Sequence, residues 1–169
     1  MLYLLDANIL ITAANTYYPI GRVPEFWSWV QHQAETGLVK IPVEMYEEVL
    51  EGRKEDDELL DWVKNDKNRA ALVLDEIPNP ELVRRVVAEG YAKDLTDDEV
   101  EKIGRDPFLI AYAFGNAERC IVTTEVSKPN KQRHNRHVPD VCQSLNVLWC
   151  GPWELNEKLG FKTGWNDEQ

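Results

Sequence analysis

The chain has 169 residues, of which 43% are hydrophobic and 29% charged, a composition typical of a globular protein rather than a disordered one. Thirty acidic residues against 19 basic ones give a formal charge of −11, which excludes a uniformly basic protein that coats nucleic acid. This charge does not exclude a nucleic-acid enzyme whose site is acidic and holds metal ions.

Cysteine usage and apolar runs bear on where the protein works. Cys120, Cys142 and Cys150 form no CxxC pair, which favours reduced thiols over a zinc site or a disulfide framework. The apolar N-terminus carries Asp6 and no basic segment, so we expect no signal peptide. No uninterrupted apolar run approaches the length of a membrane span. We therefore expect a cytoplasmic protein with no membrane contact.

The pattern of apolar runs, caps and breakers predicts alternating strands and helices. The first part of the chain is predicted to form a strand at 2–5, a helix over 9–11 capped by Asp6 or Asn8, a helix from about 24 to 37, a strand at 38–41 and a helix at 43–63 in two pieces around Gly52. The middle part is predicted to form a weaker strand at 71–74, a helix from 80 to about 90 capped by Asn79, a short helix after a capping box at Thr96 and a helix from 107 to about 115 capped by Asp106. The last part is predicted to form a strand at 120–124, a polar loop at 126–139, a strand at 145–149 and a helix at 153–159.

This alternation indicates a mainly parallel sheet that is covered by helices on both faces. We therefore predict an α/β fold, a three-layer α/β/α sandwich, in a single domain over residues 1–169. We find no internal repeat, and no segment is rich enough in Gly or Ser to divide the chain.

Acidic residues stand where a parallel sheet brings side chains to one edge. Asp6 and Glu125 each end a predicted strand, Asp106 begins a predicted helix, and Glu47 and Glu48 lie on the helix after the strand at 38–41. Ligands of such sheets bind at the carboxyl ends of the strands. Grouped carboxylates raise one another's pKa unless a divalent cation with oxygen ligands neutralises them. Two such cations can activate water and stabilise the leaving oxygen of a phosphodiester.

Each acid also has a purely structural interpretation. Asp6 and Asp106 are good helix caps, Glu48 lies among many acids of a solvated face, and a polar residue such as Glu125 is common at a strand end. We favour a functional role for Asp6, because an acid directly after so apolar a strand is unusual. For Asp106 the two interpretations are equally good and compatible.

Four segments together resemble the motifs of PIN-domain nucleases, in a divergent branch similar to VapC-like toxin ribonucleases. They are LLDANILI, IPVEMYEEVLEG, RDPFLIAYA and IVTTE, in the order of the family's motifs over about residues 2–150, with a C-terminal helix and tail at 151–169. The resemblance implies a Mg²⁺- or Mn²⁺-dependent endoribonuclease with a PIN-like fold. It also implies the toxin of a type II toxin–antitoxin pair, with RNA as the substrate and an antitoxin protein as the partner.

The resemblance assigns roles to individual residues. Register against the motifs implies four metal-binding catalytic acids, which are Asp6, Glu48, Asp106 and Glu125. Asn8 and Thr123 would orient carboxylates or water. Glu47 is the alternative to Glu48.

Departures from the family pattern indicate the divergent branch. Ala7 stands where the family often has a hydroxyl residue, and Glu125 replaces the commoner Asp. The segment HVPDVC lies outside the usual pattern and contains Asp140. Asp140 is therefore a rival to Glu125 for the fourth acid.

The segment after Glu125 is basic, although the chain as a whole is acidic. Between residues 128 and 137 it holds no acid and the cations Lys128, Lys131, Arg133 and Arg136, together with His134 and His137. We predict that these cations bind the RNA backbone, but a solvated loop or a surface for an acidic partner explains them equally well. We assign no catalytic or metal-binding histidine, because Mg²⁺ prefers oxygen ligands.

Aromatic residues near the first helix offer a weaker prediction. Tyr17 and Tyr18 precede Pro19 and are a candidate stacking surface for single-stranded RNA, although a packing role is favoured.

Two other functions compete with the ribonuclease. The first is a catalytically weak or inactive PIN-like binding module that acts through a protein or RNA partner, which the departures at Ala7 and Glu125 favour. The second is a structure-specific DNA nuclease, which we rank last because the chain lacks a long helical clamp region. A symmetric homodimer is the default expectation for a small protein of this kind.

Overall fold

The protein is an α/β protein with the three-layer α/β/α architecture predicted from the sequence. The computed structural model describes residues 1–51, 54 and 56–166. Its strands are β1 (Leu2–Leu5), β2 (Val39–Lys40), β3 (Arg119–Val122) and β4 (Leu148–Cys150). The helices of these residues are α1 (Ala7–Thr12), α2 (Pro24–Glu35), α3 (Val43–Leu50), α4 (Glu58–Lys64), α5 (Asp66–Leu72), α6 (Pro80–Arg85), α7 (Asp97–Ile103), α8 (Asp106–Ala113), α9 (Val138–Ser144) and α10 (Pro152–Lys158).

The four strands form one parallel sheet in the order β2-β1-β3-β4. In its register Leu4 pairs with Ile121 and Leu5 with Val122. The Asp6 amide donates to the Val122 carbonyl at 2.9 Å, which carries the pairing one residue past β1. Because β1 and β3 are neighbours and parallel, the residues that follow them lie at the same edge of the sheet.

The core explains why β1 and β3 were recognisable as strands. Their central residues, among them Leu4 and Ile121, are fully buried, as expected for strands covered on both faces. Helix α8 is apolar on nearly every side and is also buried, between β3, α6 and α9. The predicted buried helix after Asp106 is therefore confirmed.

Local capping signals placed several helices correctly. The Asn79 side chain accepts hydrogen bonds from the first turn of α6, which continues as a π-helical turn over Val86–Tyr91. Thr96 and Glu99 form the predicted capping box of α7. The predicted break at Gly52 lies outside the described residues.

Three local predictions were wrong. Residues 71–74 are not a strand, because Asn65 caps α5 and the helix continues to Leu72, which leaves only an isolated bridge between Val73 and Ile41. The polar loop ends at His137, because Val138 and Pro139 begin α9, for which Pro is a favoured first-turn residue. Leu145 and Asn146 form a turn after α9, so β4 begins only at Leu148.

Two further observations concern the cysteines and the length of the helices. The three cysteines are buried and free. Among the described residues, no helix combines the length and the apolar character needed to cross a membrane.

Candidate acidic site

Asp6 lies at the junction of β1 and α1. It caps α1, with Oδ1 accepting the Asn8 amide at 3.3 Å. Its Oδ2 accepts a hydrogen bond from Thr123 Oγ1 at 2.7 Å, and the Asp6 side chain is buried. Burial raises the pKa of Asp6, and the negative charge of Glu125 adds to this effect, while the hydrogen bonds oppose it. Both interpretations of Asp6, as a cap and as a member of an acidic group, therefore apply.

Thr123 connects the ends of the two central strands. While its hydroxyl donates to Asp6, it also accepts the Glu125 amide at 3.1 Å, and Thr123 is only 1% exposed. Glu125 is fixed at its other end, because its Oε2 accepts the Val138 amide at 2.7 Å at the start of α9. This geometry is what an orienting role for Thr123 requires.

Neither of the two residues after Asp6 contacts its carboxylate through a side chain. Asn8 contacts Asp6 through its backbone amide, and its side chain is exposed. Ala7 is fully buried and has no polar side-chain atom.

Asp106 occupies the first residue of α8, where Arg105 and not Asp106 is the capping residue. The predicted cap at Asp106 is therefore wrong. Within the described part of the chain, the Asp106 carboxylate makes no hydrogen bond and no ion pair. Burial raises the pKa of Asp106 well above its ordinary value, and the charges of Asp6, Glu125 and Glu48 raise it further. The four predicted acids are thus close enough to interact electrostatically.

The structure distinguishes Glu48 from its neighbour Glu47. Glu48 is partly buried on α3, and its pKa is raised first by burial and then by the charge of Asp6, while Arg105 opposes the shift. Glu47 is exposed and lies beside Arg105, whose Nη2 is 3.6 Å from Glu47 Oε2. Only Glu48 shares an environment with the other acids.

Asp140 is buried but already has hydrogen-bond partners. It accepts Ser127 Oγ at 2.5 Å and the Lys128 amide at 2.8 Å, which fixes the loop before α9. Burial alone would raise the pKa of Asp140, but these two hydrogen bonds, together with the nearby His137 and Arg136, outweigh it and lower the pKa below its ordinary value. The geometry therefore favours Glu125 over Asp140 as the fourth acid.

The donor set of the site suits a hard divalent cation, although the ligands are not preassembled. Among the described residues, no three His, Cys, Asp or Glu side chains converge into a ready-made metal-binding group. The four acids nevertheless provide only oxygen donors, which Mg²⁺ and Mn²⁺ prefer. Their mutual repulsion is what a bound cation relieves.

Unpaired buried polar atoms also flank these acids. Tyr91 Oη, Arg105 Nη1 and His137 Nδ1 are buried and have no hydrogen-bond partner among the described residues. Burial raises the pKa of Tyr91 well above its ordinary value, and the charge of Asp106 adds to this. His137 Nδ1 lies 3.7 Å from Glu125 Oε2. Buried polar groups normally have partners, so the atoms around the acids fit a site that binds a polar ligand.

Tyr91, Arg105 and His137 were not predicted to be part of the site. Arg105 directly precedes Asp106, so its position was a usable signal. Its Nη2 contacts Glu51 Oε1 at 2.6 Å, which holds α3 against the start of α8. His137 had been set aside as a metal ligand, and no sequence signal connected Tyr91 to the acids.

The basic segment is largely engaged within the protein. Arg133 pairs with both oxygens of Glu99, at 2.8 and 2.7 Å, and with Asp94 at 2.9 Å. Arg136 donates to the backbone carbonyls of Gly90 and Asp140. These contacts engage guanidinium donors that the RNA-binding prediction assigned to phosphates, so Arg133 and Arg136 already have partners within the protein.

Lys128 and Lys131 differ from the two arginines. Both lysines are exposed, and their side chains make no ion pair with any described residue. They are the remaining candidates for contacts with an RNA backbone.

The two tyrosines after α1 have different environments. Tyr18 stacks on Phe26 with ring centroids 4.0 Å apart, which is the packing role that the sequence favoured. Tyr17 is 50% exposed and contacts Trp153 edge to face at 5.1 Å.

Comparisons with known proteins identify a family but no function. No curated protein and no solved structure shows significant similarity to the chain. The family profile described as a domain of unknown function (DUF4411) matches residues 3–163, and the chain therefore belongs to that family.

Proposed function

We propose that the protein is a Mg²⁺- or Mn²⁺-dependent endoribonuclease with a PIN-like site. The observation that carries the proposal is the carboxylate of Asp106. It is held among Asp6, Glu48 and Glu125 without a hydrogen bond or ion pair from any described residue. A buried charge in this position is strongly unfavourable unless a cation neutralises it.

The four acids would hold the metal, and their neighbours would hold the acids. When bound, the cation would neutralise the carboxylates, activate water and stabilise the leaving oxygen of the phosphodiester. Thr123 keeps Asp6 and the Glu125 backbone in a fixed relation. The Val138 amide orients the Glu125 carboxylate.

The biological setting rests on the motif resemblance alone. We propose a cytoplasmic toxin of a type II pair, with an antitoxin partner and a homodimeric assembly. The exposed Lys128 and Lys131 support an RNA substrate, because unpaired cations next to an acidic site can contact phosphates.

A matched pair of substitutions on α3 tests the nuclease. Glu48→Gln removes a carboxylate that faces the other acids, whereas Glu47→Gln alters the exposed neighbour and serves as the control. Cleavage of a mixed-sequence RNA is measured with Mn²⁺ and with EDTA, and Asp106→Asn is included. We expect cleavage that requires metal, falls by about a hundredfold or more in Glu48→Gln and Asp106→Asn, and changes little in Glu47→Gln.

Two results would contradict this proposal. Cleavage that persists in EDTA would exclude a metal-dependent reaction at these acids. Equal rates for Glu48→Gln, Asp106→Asn and the wild type would place the activity elsewhere.

A binding module that has lost turnover is the second candidate. The observation in its favour is that neither Ala7 nor the exposed Asn8 side chain orients the Asp6 carboxylate. This alternative predicts RNA or protein binding without cleavage under any divalent metal. It replaces the first proposal if the wild type binds RNA but leaves it intact with both Mg²⁺ and Mn²⁺.

A further inference from the structure

An aromatic groove opens directly beside the acidic site. We define it by Tyr17, Trp149 and Trp153, with Thr124 and Val126 between them, and its volume is about 380 Å³. Thr123 and Glu125 line the same groove. Whatever occupies the groove is therefore in contact with residues of the acidic site.

The three rings are exposed to an unusual extent for such large aromatic groups. Tyr17 is 50% exposed, Trp153 57% and Trp149 38%. Val126, between them, is also exposed. Contiguous apolar surface of this kind marks a binding site more often than isolated exposed residues do.

The groove is built on ordered elements and is formed in advance of binding. Trp149 lies on β4 and Trp153 in the first turn of α10. Tyr17 contacts the Trp153 ring edge to face at 5.1 Å, and Asn156 of α10 donates to Tyr18 Oη at 3.2 Å, which ties α10 to the turn after α1. Rings held in this way lose little conformational entropy when a ligand stacks on them.

The polar lining indicates a flat ligand with hydrogen-bonding edges. Thr12, Thr124 and Ser127, which carry hydroxyl groups, also line the groove. Nucleobases combine an aromatic face with donors and acceptors at the edge, and single-stranded nucleic acids bind proteins by stacking on such platforms. Lys128 and Lys131 follow Ser127 and supply exposed positive charge for the attached phosphates, in a chain whose net charge is −11.

We propose that the aromatic groove stacks a nucleobase of single-stranded RNA, next to the phosphodiester that the acids cleave. This inference rests on the proposed function for the position of the cleaved bond. It adds a base-binding subsite and a preference for unpaired RNA, since a base within a duplex cannot enter the groove.

The test compares a short single-stranded RNA with the same strand carrying abasic nucleotides. Binding is measured in EDTA at low salt by fluorescence anisotropy of the labelled strand, using Asp106→Asn so that the RNA stays intact. We expect the base-bearing strand to bind about tenfold more tightly than the abasic strand. Trp153→Ala, made in the Asp106→Asn background, should remove most of this difference, and Trp153→Phe, which retains a ring, should preserve most of it.

Two further variants keep the result interpretable. Leu148→Ala changes an exposed apolar residue of β4 outside the groove and should bind like its parent. Trp149→Ala provides a second disruption of the groove if Trp153→Ala lowers the melting temperature strongly.

Several outcomes would overturn the subsite. These are equal affinity for the base-bearing and abasic strands, no detectable binding of either strand, and unchanged binding by both tryptophan-to-alanine variants. Unchanged RNA binding by both variants would indicate that the groove binds a protein partner instead of RNA. Absence of cleavage by the wild type alongside base-dependent binding would remove the nuclease and keep the groove. If the groove variants cleave and bind RNA like their parent proteins, the base-binding groove is excluded and the nuclease proposal stands.

Discussion

Replacing Asp106 by Asn should stabilise the metal-free protein. Its carboxylate lies among Asp6, Glu48 and Glu125, and both burial and their charges raise its pKa well above the ordinary value. Asn has nearly the same shape but no charge. The substitution therefore removes desolvation and repulsion without leaving a cavity, and no hydrogen bond from a described residue is lost.

The sign and size of the effect follow from the pKa. A carboxyl whose pKa is higher in the folded than in the unfolded state destabilises the fold once it is ionised. Below about pH 4, where Asp106 is protonated in both states, this penalty is absent, and it grows as the pH rises towards the folded-state pKa. At neutral pH we expect the variant to be more stable by about 1–2 kcal/mol. For a domain of this length that corresponds to a rise of about 2–8 °C in melting temperature.

A second helix of the protein provides the control. Asp66 is the first residue of α5, as Asp106 is of α8, but Asp66 is exposed. Asp66→Asn removes only the attraction between an acid and a helix N-terminus, so it should destabilise the protein by about 0.3–1 kcal/mol. Urea unfolding in EDTA, followed by tryptophan fluorescence, measures both variants against the wild type.

Addition of Mn²⁺ extends the same assay to the proposed metal. Binding to the folded state alone stabilises it in proportion to the logarithm of the metal concentration above the dissociation constant. The melting temperature of the wild type should therefore rise with Mn²⁺, and that of Asp106→Asn should rise less.

Two results would refute this reasoning. If Asp106→Asn is destabilised to the same extent as Asp66→Asn, the carboxylate is not strained by its neighbours and the main support for the site is lost. An equal response of wild type and variant to Mn²⁺ would mean that the metal binds away from Asp106.

Three other predictions concern the loop between β3 and α9. Asp140→Asn should lose about 1–3 kcal/mol at neutral pH, because Asp140 accepts two hydrogen bonds from this loop. These bonds lower the pKa of Asp140, so its contribution to stability is present above about pH 4 and is lost as the pH falls through the folded-state pKa. Urea unfolding should therefore show a difference in stability between wild type and Asp140→Asn at neutral pH that disappears at acidic pH. A difference that stays constant with pH would contradict the assignment. Arg133→Lys cannot reproduce the bidentate contact with Glu99, so limited proteolysis of the loop should accelerate while RNA affinity stays unchanged, and a large loss of affinity would return Arg133 to the RNA site. Replacing both Lys128 and Lys131 by Ala should reduce the salt dependence of RNA binding, with the slope of log K against log salt smaller by about 1.4, and an unchanged slope in a salt titration would exclude both lysines.

Signals within a few residues of one another predicted the fold best. Runs buried on both faces marked β1 and β3, and Asn79 and Thr96 capped the helices that they were expected to cap. The order of the strands explains why Asp6 and Glu125 lie at the same edge of the sheet, because parallel neighbours end there.

Predictions failed where distant parts of the chain decide the outcome. The contacts of Arg133 and Arg136 within the protein were not foreseen, because their partners Glu99 and Gly90 lie more than 30 residues earlier. The apolar run at 71–74 has a strand-like composition, yet the cap at Asn65 and the packing of α5 against α2 favour a helix up to Leu72. Composition alone does not reveal such contacts.

The contrast between Asp106 and Asp140 is the strongest structural argument for a function at the acidic edge. Asp140 is buried and Asp106 is partly buried within the same small protein. Asp140 receives two hydrogen bonds that favour its ionised form and fix the loop before α9. Asp106 is surrounded by three other acids, and its pKa is displaced in the opposite direction. A structural role at the start of α8 could be filled by an uncharged residue, and this is why we propose that the Asp106 carboxylate binds a cationic ligand.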